Sequence, residues 1–483
     1  MTNLPVAGAR QGENRQMPAR PRAVAGTIST ALLLFGGRWA NYIGVYPIFL
    51  SDVLFGLAIV NYLLSRQIST SAARHRPRTS PIYGLMAASL LWTVLRFLFG
   101  RDFGVTAFRD LFPYLYISGG ILAWHAVQTC SRKALANTTR IIYWAIGLHA
   151  AWHVSVILFV PGLPGALPLV SATQALHIFQ PRADFDGAIT GVACGLLLRS
   201  LLLSGSRIVP KAIGLILCWL AIGAGSSRAG LLSALLVSAL IAIAYLSMSS
   251  NTDHGTRRKQ QGLVLVIPVV ICLALIILPS TTAGSRLLGG FSSSQEGSLA
   301  EGAAGTQAAR SAAWGALLEW ILQDSQRALV GVGFGPNFMI DSGASQLLIS
   351  TMNEGADLPR SPHMYWLGTW ARLGLIGLMP VALATIGATM CAWRAKHWII
   401  TSPLAFVATV VPISLIIPAT LGVILESPFG AVPFWWCVGA LFGLSQRRAA
   451  TASSLGAVRQ SGSRRTRSAQ CPQTPTVNGG GTI

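Results

Sequence analysis

Three residues have the types and surroundings needed for chemistry on a phosphorylated substrate. They are Arg228 in Gly225-Ser226-Ser227-Arg228-Ala229-Gly230, Arg310 in Ala309-Arg310-Ser311, and His363 in Ser361-Pro362-His363-Met364-Tyr365. A guanidinium is planar, permanently charged and offers parallel N–H donors, so two of them can clamp a diphosphate. A histidine with an ordinary pKa of about 6.5 can take a proton from a hydroxyl. Each also has a plainer reading. Arg228 closes one hydrophobic run and opens another, where arginines often snorkel to lipid headgroups. Arg310 is one of four arginines in a long loop, with Arg286, Arg327 and Arg360. A lone histidine is more often structural than catalytic. Ser227 and Ser226 add hydrogen-bonding hydroxyls beside Arg228, and Tyr365 and Trp366 read most simply as aromatics of the membrane interface.

The elements that must position these residues follow from composition. Of 483 residues, 52% are hydrophobic and 11% charged, against about 25% charged in a soluble domain. The apolar residues fall in runs of about 17 to 25, the length that spans a bilayer as helix. The expected fold is an all-α polytopic membrane protein with about twelve spanning helices, near 25–45, 50–65, 81–99, 111–129, 141–160, 187–204, 211–227, 229–248, 263–280, 364–392, 401–424 and 429–445. The polar stretch Met1–Arg22 has no signal-peptide core followed by a cleavage site, so the first apolar segment is expected to be an uncleaved anchor.

A net charge of +21 raises the question of nucleic acid, and the placement of the charge argues against it. Alternate loops and both tails hold 25 of the 36 Lys and Arg but only two acids, Glu13 and Asp253. The positive-inside rule then puts both termini in the cytoplasm and puts Arg228, Arg310 and His363 on the external face of the membrane. The seven cysteines lie in helices, at their ends or in the tail, so no disulfide framework and no cysteine metal site is indicated.

The expected organisation is a cytoplasmic tail over 1–24, nine helices within 25–280, a periplasmic loop over 281–362, three helices within 363–445, and a disordered basic tail over 446–483 whose charges suit anionic lipid. The loop is too long to be a simple connection. Its Gly- and Ser-rich part, 284–305, is expected to be mobile. Residues 306–328 read as an amphipathic helix with Trp314, Leu317, Leu318, Ile321 and Leu322 on one face and Arg310 on the same stripe. The run Gly331-Val332-Gly333-Phe334-Gly335 lacks the Lys-Ser/Thr of a phosphate loop and follows no strand, so it reads as a turn.

Ser227-Arg228-Ala229-Gly230 resembles one signature of the O-antigen ligase and O-antigen polymerase family, which includes bacterial exopolysaccharide polymerases. Arg310 with Trp314, followed by Leu329 to Gly335, resembles a second. Ser361-Pro362-His363-Met364-Tyr365-Trp366-Leu367 with Arg372-Leu373-Gly374-Leu375-Ile376-Gly377 resembles a third. The ordered set covers roughly residues 180–380. Pro181-Arg182-Ala183-Asp184 resembles the family segment that carries an arginine before Pro-Asn; the Pro-Asn is missing here. The ligases' usual His-Asn is His363-Met364, which leaves ligase and polymerase both open.

The resemblance implies an inverting, metal-independent glycosyltransferase without cofactors. Its donor would be an undecaprenyl-diphosphate-linked glycan and its acceptor a hydroxyl of lipid A–core or of a growing polysaccharide, within a polysaccharide assembly complex. Arg228 and Arg310 would hold the diphosphate, His363 would deprotonate or orient the acceptor hydroxyl, and Arg182, Arg372, Ser227 and Tyr365 would line the substrate site. Arg372 also has the alternative of a carbonyl or Glu426 as partner.

Other constellations carry less. Asp184-Phe185-Asp186 has the Asp-x-Asp spacing of metal-dependent transferases but lies where nucleotide sugars are absent. His149 and His153 stand one turn apart, a metal-capable spacing with no evident third ligand. The rival functions are a lipid-linked glycan transporter and a scaffold of an export complex. A transporter favours polar residues at the bilayer midplane and internal repeats, and neither is clear in this chain.

Overall fold

The computed structural model describes residues 22–45, 48–68, 81–100, 103–171, 176–204, 206–249, 281–282, 284–285, 298–349 and 359–468. Among these, seven helices are long and apolar enough to cross a membrane, and Leu50–Leu63 and Ile208–Ala224 are shorter apolar helices. The protein is a multi-pass α-helical membrane protein; the only strands among the described residues form two short antiparallel hairpins, Gly44–Val45 with Ile48–Phe49 and Leu169–Ser171 with Leu176–His177.

In chain order the helices are α1 (Arg22–Asn41), α2 (Leu50–Ile68), α3 (Pro81–Leu98), α4 (Val105–Leu115), α5 (Ile117–Thr129), α6 (Arg132–Leu158), α7 (Leu163–Ala166), α8 (Ala183–Leu203), α9 (Ile208–Ala224) and α10 (Arg228–Ser249). After the long loop begins come α11 (Ser298–Leu322), α12 (Ser325–Val330), α13 (Phe338–Asp341) and α14 (Ala344–Ile349). The last group is α15 (Tyr365–Arg394), α16 (Lys396–Thr401), α17 (Pro403–Thr420) and α18 (Pro428–Ser468). The expected helix at 263–280 lies outside the described residues.

Four expectations change. The segment 111–129 is two helices that meet at Tyr116, not one. The loop helix starts at Ser298, inside the stretch expected to be mobile, and ends at Leu322, with α12 separate. Its buried face is Ala313, Leu317 and Ile321; Leu318 and Leu322 are exposed. The last helix runs on to Ser468 instead of ending near 445.

Two features position the site. The first is close packing of α8 on α10. A Cβ on Gly187 would sit 2.9 Å from the Gly230 Cα, and one on Gly230 would sit 2.8 Å from the Gly187 Cα. Small residues let the two backbones approach, as in membrane helix pairs generally, and this sets Arg182 at the head of α8 beside Arg228 at the head of α10.

The second is a break in α15. Gly374 has φ 64 and ψ −176, a conformation closed to residues with a side chain. A break frees carbonyls that must find donors. Val332 N–H donates to Ala371 O at 2.9 Å, Gly333 N–H to Arg372 O at 2.9 Å, and the Trp92 indole N–H to Leu373 O at 2.8 Å. The glycine-rich run is therefore a turn, as read, and its work is to cap a broken helix. Gly331 faces the backbone of Arg372 and Gly374 so closely that a Cβ there would clash. A satellite core of Leu317, Ile321, Phe338, Met339 and Leu348 with Leu367 and Ala371 then fixes α11, α13 and α14 to α15; each large apolar side chain of it buried from water contributes about 1.5–3 kcal/mol.

Candidate active site

Four distant segments meet at one end of the bundle. Arg182 caps the N-terminus of α8, Arg228 opens α10, Arg310 lies on α11, and His363 lies just before α15. The Arg310 guanidinium donates to the Leu421 carbonyl at the end of α17, at 3.3 Å. Burial and then the neighbouring Arg228 charge lower its pKa, with Asp184 opposing. His363 is pushed down to about 4 by burial and by the charges of Arg310 and Arg182, again with Asp184 opposing. The ordinary histidine pKa expected from sequence is thus corrected: the imidazole is neutral at physiological pH, chiefly because it is buried and then because cations crowd it.

His363 is held in a left-handed conformation, φ 53, which costs a non-glycine residue about 1–3 kcal/mol and persists only where the surroundings impose it. They do so here. The Trp314 indole donates to Pro362 O at 2.6 Å, and Ser361 Oγ donates to Glu426 Oε1 at 2.9 Å. The loop helix and the α17–α18 connection therefore pin the two residues before His363.

Asp184 is the carboxylate of this cluster. Arg182 grips it through two bonds, Nε to Oδ1 at 2.8 Å and a terminal nitrogen to Oδ2 at 3.1 Å. The Arg182 guanidinium also lies over the Phe429 ring, 5.1 Å from its centroid. Asp186, the second member of the Asp-x-Asp, is turned inward: its Oδ2 accepts the Arg182 backbone N–H at 2.6 Å, and its Oδ1 lies 3.5 Å from His149 Nε2. Among the described residues no three His, Cys, Asp or Glu side chains form a metal-holding group.

Three of the expected site residues have partners within the protein. Ser227 Oγ accepts the Gly230 N–H at 3.0 Å and so caps α10. Arg372 is buried and donates to Asp110 Oδ2 at 2.6 Å, its guanidinium over Phe338. Tyr365 is fully buried and stacks on Tyr114, so it is neither an interfacial belt aromatic nor open to a ligand. Asp110 also takes Arg360 at 3.0 Å and the Gly335 N–H at 3.3 Å. Beside this network, burial pushes Glu426 up to about 7, with Arg372 and the Ser361 hydrogen bond opposing. Sequence reasoning gave Asp110 no role. Its only signal was a carboxylate at the start of an apolar segment, where an acid is costly unless paired.

A cavity of about 220 Å³ opens between α6, α8 and α9, lined by His153, Ala183, Gly187, Ser226 and Ser227 among others. Neither the protein-family models nor the curated proteins searched give a match to this chain.

Proposed function

We propose that the chain is a membrane glycosyltransferase of the O-antigen ligase or polymerase type, working on the periplasmic face of a bacterial inner membrane. It moves a glycan from an undecaprenyl-diphosphate carrier to a sugar hydroxyl. The observation that carries this reading is the meeting of Arg182 and Arg310 around His363, with Arg228 beside Arg310 and Asp184 gripped by Arg182. The helix N-termini at the heads of α8 and α10 add partial positive charge of their own. The complement is a dianionic or trianionic group held at a membrane surface, which a lipid diphosphate is.

In the reaction the acceptor oxygen bonds to the anomeric carbon from the face opposite the diphosphate, and the bond from that carbon to the phosphate oxygen breaks. Arg228 and Arg310 take up the negative charge that grows on the leaving diphosphate. The acceptor proton passes to neutral His363. Bound phosphate offsets the Arg310 and Arg182 charges, so the imidazole becomes more basic in the loaded site than in the empty one. The acid limb of kcat/KM, which reports the free enzyme, is expected at about 4. Helix α11, anchored through Trp314, covers the site and keeps water from competing.

Gene deletion with analysis of lipopolysaccharide and secreted polysaccharide tests the reading. Loss of the O-antigen ladder while carrier-linked polymer accumulates identifies a ligase; single-unit or absent polymer identifies a polymerase. Complementation with Arg228→Lys should fail, because an ammonium lacks the bidentate fork. Full complementation by that variant refutes the diphosphate clamp.

A further inference from the structure

His149 and Asp186 are buried in the bundle behind the site, with side chains 4% and 7% exposed. The reaction described above uses neither. Their hydrogen bonds fix how many protons they hold. His149 Nδ1 lies 2.8 Å from the Phe35 carbonyl oxygen. A carbonyl only accepts, so Nδ1 carries the hydrogen. In a neutral ring Nε2 is then a bare lone pair. It has no hydrogen-bond partner, and its charged neighbour is Asp186 Oδ1 at 3.5 Å. An ionised carboxylate is also acceptor only. Two acceptors facing each other in a dry interior are unfavourable, and a single proton between them removes the conflict whether it resides on nitrogen or on oxygen.

The other carboxylate oxygen is what connects the pair to the site. Asp186 Oδ2 accepts the backbone N–H of Arg182 at 2.6 Å, and the same residue's side chain grips Asp184. The surroundings are ordered on every side. From α1 come the Phe35 carbonyl and Gly37, whose left-handed backbone (φ 55) lies against Phe185 and Asp186. From α6 comes His153, bonded through Nδ1 to Thr190 Oγ1 of α8 at 2.8 Å. Arg182 and Asp184 stand at the head of α8, Arg228 at the head of the α10 helix packed on it, and Phe429 of α18 packs on Phe185, which in turn packs edge-on to His149.

We propose that His149 and Asp186 share one proton and, in that state, act as positioning residues that hold the Arg182 segment in place for the transfer. The role in transfer rests on the glycosyltransferase reading; the shared proton does not. When the proton leaves, the two lone pairs repel, Asp186 shifts, and the Arg182 amide loses its acceptor. Activity then falls on the alkaline side for a reason that lies away from the reacting atoms.

Asp186→Asn separates this from a merely structural role. Its amide N–H donates to Nε2 and its carbonyl accepts the Arg182 N–H, so both bonds survive without a titratable proton. Asp186→Ala removes both. On the full-length protein in nanodiscs, hydrogen–deuterium exchange of the 181–186 segment should be slow in wild type and Asp186→Asn and fast in Asp186→Ala. Nitrogen-15 NMR should show His149 protonated at Nδ1 with a hydrogen-bonded Nε2. In complemented cells, glycan assembly should stay within about twofold of wild type for Asp186→Asn and fall about tenfold or more for Asp186→Ala, and the alkaline fall should be absent in Asp186→Asn. Equal exchange in all three proteins, or an Nε2 signal free of any hydrogen bond, overturns the proposal. If exchange and NMR behave as stated while His363→Ala still assembles glycan, the glycosyltransferase reading fails and the proton-sharing pair stands.

Discussion

The two ends of the bundle use the same side chain in opposite ways. At the end away from the site, arginines meet helix C-termini. Arg199 donates to Ile400 O at 2.6 Å and Thr401 O at 3.1 Å, where α16 ends. Arg447 donates to Val127 O at 3.0 Å and Cys130 O at 2.8 Å, where α5 ends. Helix C-termini carry unsatisfied carbonyls and partial negative charge, so each guanidinium there is electrostatically matched within the protein. At the site end Arg182 and Arg228 stand at helix N-termini, where the partial charge is positive. Arg310 is destabilised as a cation by burial and then by Arg228, and His363 is kept neutral by burial and then by Arg310 and Arg182. Arg310 stands between the two cases: it donates to Leu421 O at the end of α17 and also feels the Arg228 charge.

The site end contains a contrast of its own. Arg360 and Arg372 share Asp110 in a buried network, while Arg228 and Arg310 crowd each other. The first pair is expected to carry stability and the second activity. Asp110→Ala gives the largest effect: two arginines lose their carboxylate at once, and stability in unfolding measurements should drop by about 3–5 kcal/mol. A loss under about 1 kcal/mol would erase the distinction.

Arg310→Ala comes next. Transfer should fall about 10²- to 10³-fold, equivalent to about 2.7–4 kcal/mol, with the melting temperature of the purified protein unchanged. A large melting shift with normal transfer would reverse the assignment of the two clusters.

Arg447→Ala tests the opposite pole. Stability should fall by at most about 1.5 kcal/mol, since its carbonyl bonds are only partly buried, and transfer should stay within about twofold of wild type. Loss of transfer without loss of stability would mean that the ends are not divided as described.

The last test concerns Glu426. Its folded-state pKa is raised to about 7, so the folded protein binds this proton more tightly than the unfolded chain does. The stability it contributes is fully present below about 4.5 and is lost as pH rises from there to about 7, by at most about 1.4 kcal/mol per pH unit. Glu426→Gln should remove that slope. A wild-type minus variant difference that stays constant across this range would show that the carboxyl is already ionised.

The helix positions were largely legible. Hydropathy placed the membrane segments within a few residues of α3, α8, α10, α15 and the start of α18, because a run of apolar residues is a local property. Arg228, Arg310 and His363 were legible for a related reason: charge beside an apolar run stands out. Tyr365, Arg372 and Ser227 show the limit. Each has a type and place that fit a binding site, and each is committed to a partner that the sequence does not name: Tyr114, Asp110 and the Gly230 amide.

The sequence by itself determined an α-helical membrane protein, the ends at which its charges gather, and the three residues about which chemistry is expected. These follow from hydropathy and side-chain type, which need no knowledge of what packs on what. Only the tertiary structure decided which arginines are paired and which crowd together. Asp110 reaches Arg372 across 262 positions of chain, and Gly187 meets Gly230 only because α8 and α10 pack backbone to backbone. Electrostatic energy depends on distance in space, and distance along the chain sets no bound on it.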